Sequence, residues 1–302
     1  MTKPWKPAIQ VNQTLVREIL TEQVPNIALN ELLYIGSGWD HSIWRADHLV
    51  FRFPHCTESL HTAQNIYEAQ TQLARRLPIP IPTPVVRGTP TDRYLGHFVG
   101  YRWLNGHLPA SLPLSVDDRT RLTEPLARTL HSLHQIPRAK AEEWGLRVSS
   151  DRHGELEERF HYACKRAEQL KDTSYAALAN RAVAVMRDIP KEVTPSGVRL
   201  VHGDLHAGQI LLDDDHRLAA ILDWDELSIW DPAYDLMLVY SMIPPQSRAQ
   251  FWELYGAFPH PERARFIALS YGLAILAQAV DTSQTALINE TAFGLSNALR
   301  TQ

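Results

Sequence analysis

The hydrophobic pattern changes period along this chain. In the first third, short apolar runs alternate with polar residues: Glu31–Ile35, Ser42–Ala46 and Leu49–Phe53 read as strands, the last with Phe51 and Phe53 on one face and Arg52 on the other. One helix interrupts them over Thr57–Leu77, where Leu60, Ala63, Ile66, Leu73 and Leu77 recur at helical spacing and Glu68 lies off that stripe. The run Pro78-Ile79-Pro80-Ile81-Pro82-Thr83-Pro84 cannot be helical and leads extended into strand Val85–Val86. A further strand, Tyr94–Leu104, ends at Asn105-Gly106. Beyond it the period becomes helical. Asp117–Gln135 carries Leu122, Leu126, Leu130 and Leu133 and stops at Pro137, and further helices fit Glu155–Leu170, Tyr175–Arg187, Ala233–Met242, Gln246–Tyr255, Pro261–Val280 and Thr285–Leu299.

One segment of this second part reads as strands and carries the chemistry. Val198–Val201 and Ile210–Leu212 are short buried strands separated by a polar loop holding Asp204; Asp213–Arg217 is a turn, and strand Leu218–Leu222 delivers Asp223 at its end. Between Leu200 and Tyr240 stand Asp204, Asp213, Asp214, Asp215, Asp223, Asp225, Glu226, Asp231 and Asp235, against Arg217 alone. Such uncompensated negative charge favours a divalent cation bound through oxygens. Two acids at strand ends, one to orient a substrate hydroxyl and one to hold metal, point to phosphoryl transfer.

That reading makes demands on the first part of the chain: a glycine turn between two strands, a cation on the next strand, and an acid on the following helix. Gly36-Ser37-Gly38-Trp39-Asp40-His41, Arg52 and Glu68 meet them in order. No lysine lies between Lys6 and Lys140, so a phosphate-binding cation in this region must be arginine. Its planar fork can engage phosphate and Glu68 together.

The string His202-Gly203-Asp204-Leu205-His206-Ala207-Gly208-Gln209-Ile210-Leu211-Leu212-Asp213, followed by Ile221-Leu222-Asp223-Trp224, resembles the catalytic and metal motifs of the aminoglycoside and macrolide phosphotransferase family. The Gly-x-Gly-Trp-Asp turn and the Phe-Arg-Phe-Pro strand resemble its N-terminal lobe, and the likeness runs over roughly residues 31–240. The resemblance implies an α+β, bilobal, protein-kinase-like fold. Residues 1–104 would form a nucleotide-binding lobe, an antiparallel sheet with one main helix, and residues 105–302 a larger, mainly helical catalytic and substrate-binding lobe. It implies Asp204 as catalytic base, Asp223 as metal ligand, His202 as a structural member of the loop, and Asp235 as the acid that braces that loop. Where the family usually carries Asn as a second metal ligand this chain has Gln209, whose amide oxygen sits on a stem one methylene longer. Nucleotide contacts fall to Gly36, Ser37, Gly38, Arg52, Glu68 and Tyr101, the last in the strand entering the hinge. The implied reaction moves the γ-phosphate of ATP or GTP, with Mg²⁺, to a hydroxyl of a small molecule such as an aminoglycoside or macrolide, an antibiotic-resistance activity. The acidic segment suits a cationic acceptor. A catalytically weak pseudokinase, suggested by Arg52 and Gln209, is the alternative; a metallophosphoesterase lacks two of its motifs.

Composition narrows the setting. With 302 residues and 44% hydrophobic content the chain can build two lobes around sizeable cores. A net charge of −4 argues against a nucleic-acid binder. Met1–Gln10 has no apolar signal core, and no uninterrupted apolar run approaches a membrane span. Cys56 and Cys164 lie far apart and fit a reducing compartment, so a cytoplasmic monomer is expected. Among the histidines, His206 reads as structural or solvent-facing, His131 and His134 as surface or satisfied core residues, and Asp213-Asp214-Asp215 as a solvated turn.

Overall fold

The computed structural model describes residues 9–38, 40–56, 63–149, 155–191 and 197–300. The chain divides into two compact units, Met1–Arg75 with Ile81–Leu104, and Arg76–Pro80 with Asn105–Gln302.

The first unit opens with helix α1 (Gln13–Gln23), which the sequence pattern did not announce; Asn12 caps it by accepting a hydrogen bond from the Leu15 amide at 3.0 Å. Strands β1 (Leu33–Ser37), β2 (His41–Ala46) and β3 (Leu49–Pro54), helix α2 (Ala63–Leu73), and strands β4 (Pro84–Arg87) and β5 (Val99–Arg102) follow. The strands form an antiparallel sheet in the order β1-β2-β3-β5-β4. Phe51 and Phe53 lie buried on one face, as the alternation requires, in a core shared with Val16, Ile19 and Leu20 of α1. The Phe53 ring stacks on Phe98 at 4.6 Å. Burying each of these aromatics contributes about 1.5–3 kcal/mol.

Three boundaries differ from expectation, each for a local reason. The strand expected from Tyr94 begins only at Val99, because Tyr94 is held in a turn with Thr91 and donates its hydroxyl to the Pro54 carbonyl at 2.8 Å. Helix α2 ends at Leu73 rather than Leu77, since Pro78 has no N–H for the Ala74 carbonyl and its ring would clash with that carbonyl in a continuing helix; the expected first turn lies outside the described residues. The single helix expected over Asp117–Gln135 is two, α3 (Val116–Arg121) and α4 (Thr123–His134), broken at Leu122. Pro125 has no N–H for the carbonyl one turn back and is tolerated only in a first turn.

The second unit continues with α5 (Arg138–Glu143), α6 (Leu156–Gln169) and α7 (Ala176–Asp188), then β6 (Arg199–Val201), β7 (Ile210–Leu212), β8 (Leu218–Ile221) and β9 (Ser228–Trp230), and closes with α8 (Ala233–Ser241), α9 (Arg248–Tyr255), α10 (Pro261–Asp281) and α11 (Thr285–Leu299). β6 pairs with β9 and β7 with β8, both antiparallel. α10 is the central helix, packed by α6, α7, α8 and α11. Among the described residues it is the one helix long and apolar enough to cross a membrane, and 56% of its most apolar window is buried within the unit.

Candidate active site

The site is built where β6 ends and α8 begins. α8 starts just after Asp231-Pro232, and its first turn presents Asp235, whose side chain is fully buried. Its carboxylate accepts hydrogen bonds from the backbone N–H of His202 at 2.8 Å and of Gly203 at 2.9 Å, and from His134 Nε2 at 2.9 Å. Burial alone would raise this carboxyl, but the hydrogen bond from His134 and, after it, that from the Gly203 amide outweigh it and hold it below the usual range. Tyr255 in turn donates its hydroxyl to His134 Nδ1 at 2.8 Å.

The loop between β6 and β7 is thus pinned by its own backbone. Gly203 adopts φ +89°, and a Cβ there would lie 2.5 Å from the Glu226 carbonyl oxygen, so glycine is required. His202, also fully buried, donates from Nε2 to the Leu222 carbonyl at 2.8 Å and accepts the Asp204 N–H at Nδ1, 3.3 Å away. Those partners select the neutral imidazole and tie the Asp204 loop to the segment carrying Asp223. Gln209 completes the tie, its carbonyl accepting the Leu222 N–H at 2.7 Å.

Asp204 stands on this framework. Tyr271 of α10 donates its hydroxyl to Asp204 Oδ1, Gln209 Nε2 lies 3.4 Å from Oδ2, and His206 Nε2 3.9 Å from it. Burial, then the like charges of Asp223, Glu226 and Asp235, push the Asp204 carboxyl up to about 7. A carboxyl near neutrality is suited to exchanging a proton with a hydroxyl. Asp223 sits two residues beyond β8 with φ +59°, a left-handed backbone that Asp tolerates better than most residues. His206 is structural: Nδ1 accepts the Gly208 N–H at 3.0 Å and caps the turn Ala207–Gln209, and burial lowers its imidazole to about 4. His131 donates to the Tyr255 carbonyl at 2.7 Å, and Asp213 Oδ1 closes its own turn by accepting from Asp215 and Arg217.

Gln209 offers the test of a metal. Its Oε1 is buried and has no hydrogen-bond partner among the described residues, while its Nε2 points to Asp204. Turning the amide over would set oxygen against a carboxylate, so the orphan is the oxygen, and an orphaned buried acceptor costs about 1–3 kcal/mol unless a cation or donor meets it. No cluster of three or more His, Cys, Asp or Glu with metal-holding arrangement occurs among the described residues. A carboxylate and an amide oxygen are donors of the kind that a hard cation such as Mg²⁺ takes.

In the first unit, Gly36 and Ser37 lie within β1, paired with Ile43 and Ser42 beyond a bulge at Ile35, so the turn proper begins at Gly38. A Cβ at Gly36 or Gly38 would meet nothing within 4 Å. Trp39 lies outside the described residues. Arg52 is half-buried in mid-β3 between Ile43 and Val99, and Tyr101 is buried in β5 opposite Val50. Glu68, expected to orient Arg52, is exposed on α2 and accepts from Gln72 Nε2 at 2.9 Å. Its place off the apolar stripe turns it toward solvent, where the residue four positions on is its neighbour. The sequence reading missed Tyr271, and it assigned His134 no part in the site.

An antiparallel N-terminal sheet followed by a helical unit that carries an acid-bearing loop is the protein-kinase-like arrangement. The model of the APH phosphotransferase enzyme family matches residues 31–267, and the chain belongs to that family. Its fold is shared with the wild-type aminoglycoside 2′-phosphotransferase-IIIa in complex with GDP (20% identity, 96% of this chain and 99% of that one, TM-score 0.66) and with the macrolide 2′-phosphotransferase MphH of Brachybacterium faecium (20% identity, 93% and 97%, TM-score 0.61). The APH(2″)-IIa ternary complex with streptomycin and ATP is similar at 16% identity, 94% and 99% coverage and TM-score 0.58. Among curated proteins, YcbJ of Bacillus subtilis (strain 168) is 38% identical over 61 residues, a match spanning 20% of either chain.

Proposed function

We propose that this protein transfers the γ-phosphoryl group of ATP or GTP to a hydroxyl of a small molecule. The observation that carries this reading is a hydroxyl already seated on Asp204: Tyr271 donates to the carboxylate of a loop held rigid by Asp235 and His202, the interaction that an acceptor alcohol needs. The family and the nucleotide complexes of its structural neighbours support the class of reaction.

In this reading the acceptor hydroxyl displaces Tyr271 and donates to Asp204, which orients it and takes its proton as the phosphoryl group leaves the nucleotide. Asp223 and Gln209 would hold Mg²⁺, which would supply charge neutralisation to the transferred phosphoryl group. Residues 1–104 form the nucleotide lobe and 105–302 the catalytic lobe, Arg52 and the backbone of Gly36, Ser37 and Gly38 serving the phosphates and Tyr101 belonging to the purine side. Glu68 joins Arg52 only after leaving Gln72. The enzyme works as a cytoplasmic monomer.

The test is a radiolabel-transfer screen with ATP and GTP separately against aminoglycosides, macrolides and simple alcohols. Label appearing on an acceptor with wild type and not with Asp204→Asn supports the reading. Nucleotide bound with no transfer to any acceptor class would favour a pseudokinase.

A further inference from the structure

Tyr271 stands in the middle of α10, whose residues Phe266, Ile267, Leu269, Leu273 and Leu276 are buried beneath the helices packed around it. The next residue, Gly272, lets α11 approach closely, since a Cβ there would lie 2.8 Å from the Leu295 side chain. The backbone that carries Tyr271 is therefore fixed by the core of the unit. Its half-buried ring lies 5.6 Å from the His206 imidazole at an inclination of 40°, and its hydroxyl donates to Asp204 Oδ1. A phenol is thus held at both ends, ring and tip, over the carboxylate of the loop.

Other hydroxyls of the same unit have other partners. Tyr234 accepts from Arg159 Nε at 2.7 Å, Tyr255 donates to His134 at 2.8 Å, and Ser270 donates to the Arg159 carbonyl at 3.5 Å. Among the described residues, Tyr271 is the one hydroxyl on Asp204. The proposed mechanism asks an acceptor for a hydroxyl that donates to Asp204 as the phosphoryl group arrives, and Tyr271 meets that demand with nothing bound. A phenol also gives up its proton more readily than an aliphatic alcohol, and tyrosine is a nucleophile that proteins use. Because Tyr271 belongs to the same chain, no encounter is needed: well-oriented intramolecular groups act at effective concentrations of about 10⁵–10⁸ M, above any that a free acceptor reaches.

We infer that, with a nucleoside triphosphate bound and no acceptor in place, the protein phosphorylates its own Tyr271. The inference rests on the phosphotransferase reading for the part played by Asp204. Tyr271 Oη forms a bond to the γ-phosphorus as the bond from that phosphorus to the β,γ-bridging oxygen breaks; the phenolic proton passes to Asp204, and nucleoside diphosphate leaves with the electron pair of the broken bond. The product is an aryl phosphate on α10. It stands where an acceptor hydroxyl must sit, beside a carboxylate on which the charges of Asp223, Glu226 and Asp235 already act.

The full chain is incubated with γ-labelled ATP and, separately, GTP, with Mg²⁺ and no acceptor, and the phosphopeptides are mapped by mass spectrometry. Label should map to Tyr271 and accumulate with a rate constant that is unchanged over about a tenfold range of protein concentration, as transfer within one molecule requires. Tyr271→Phe should lose this label, and Asp204→Asn should acquire it about 10²–10⁴-fold more slowly. Because the modified residue is identified in wild type, misfolding of a variant does not decide the result. Parallel reactions contain the alcohols of the acceptor screen. Label on an added alcohol with none on Tyr271 in the acceptor-free reaction overturns this inference and leaves the phosphotransferase reading standing. Label on Tyr271 with none on any alcohol upholds the inference and counts against small-molecule transfer. Release of inorganic phosphate alone, label confined to other residues, or a rate constant that rises with protein concentration overturns it.

Discussion

Asp235 reaches back 33 residues to accept the backbone N–H of His202 at 2.8 Å, and through that contact a buried carboxylate on α8 sets the position of the Asp204 loop. The relationship explains why a fully buried charge is tolerated. Two loop amides and His134 surround it, so the ion is solvated by the groups it must organise.

Removing that acid should therefore damage stability and activity together. Asp235→Ala leaves two amides and an imidazole unmatched in the interior, and a loss of about 3–5 kcal/mol is expected in denaturant unfolding. The pH dependence has a definite sign. Because the folded carboxyl is held below its ordinary value of 3.8, its contribution is complete above that value and is lost as the pH falls through the lower folded one. Wild type should lose stability in that acid window more steeply than Asp235→Asn; parallel curves would show that the carboxylate is not the stabilising ion.

In the proposed mechanism Tyr271 competes for the place of the acceptor. Tyr271→Phe removes the hydroxyl that the acceptor must displace, so the KM for the acceptor should fall by about two- to tenfold, the worth of one hydrogen bond. A raised KM with unchanged kcat would instead mean that Tyr271 binds the acceptor directly.

Gln209 separates stability from ligand binding. Replacing it with Met removes an orphaned buried oxygen, so the nucleotide-free protein should gain up to about 1 kcal/mol while Mg²⁺-dependent nucleotide affinity drops. Asp223→Asn should lose the same affinity without the gain. Calorimetry showing equal nucleotide binding with and without Mg²⁺ in wild type would remove both residues from the metal site.

Glu68, the proposed partner of Arg52 at the phosphates, is engaged by Gln72 in this structure. Thermal stability should respond additively to Arg52→Ala and Glu68→Ala, within about 0.5 kcal/mol. Nucleotide affinity should not, because the pair forms around bound phosphate. Additivity in both would assign the phosphates to another cation, and partial activity in Arg52→Lys is expected because charge survives without the bidentate fork.

Much of the site is legible in sequence because it is local. Asp204, Gln209 and Asp223 fall within twenty residues, and short strands with a tight Asp213–Arg217 turn leave little freedom in how they return on themselves. Gly36, Gly38 and Arg52 are readable for the same reason, although the bulge at Ile35 carries Gly36 and Ser37 into the strand, a shift no composition reveals. Tyr271 is not legible. It meets Asp204 across 67 residues from the middle of an apolar helix, where one polar tip leaves no periodic trace. His134 sits 101 residues from Asp235 on a leucine-rich helix, and its spacing marks it as a core histidine without naming the carboxylate it serves. The break at Leu122 escapes because the leucine period runs on through it while Pro125 ends the hydrogen-bond ladder.

In the proposed mechanism Asp204 takes the proton of an acceptor alcohol during phosphoryl transfer. The most direct measurement is single-turnover transfer of labelled γ-phosphate by wild type and Asp204→Asn, with nucleotide affinity determined for both. Equal nucleotide affinity with transfer slowed by about 10²–10⁴-fold in the variant is the expected result. Transfer at the wild-type rate in Asp204→Asn would contradict it.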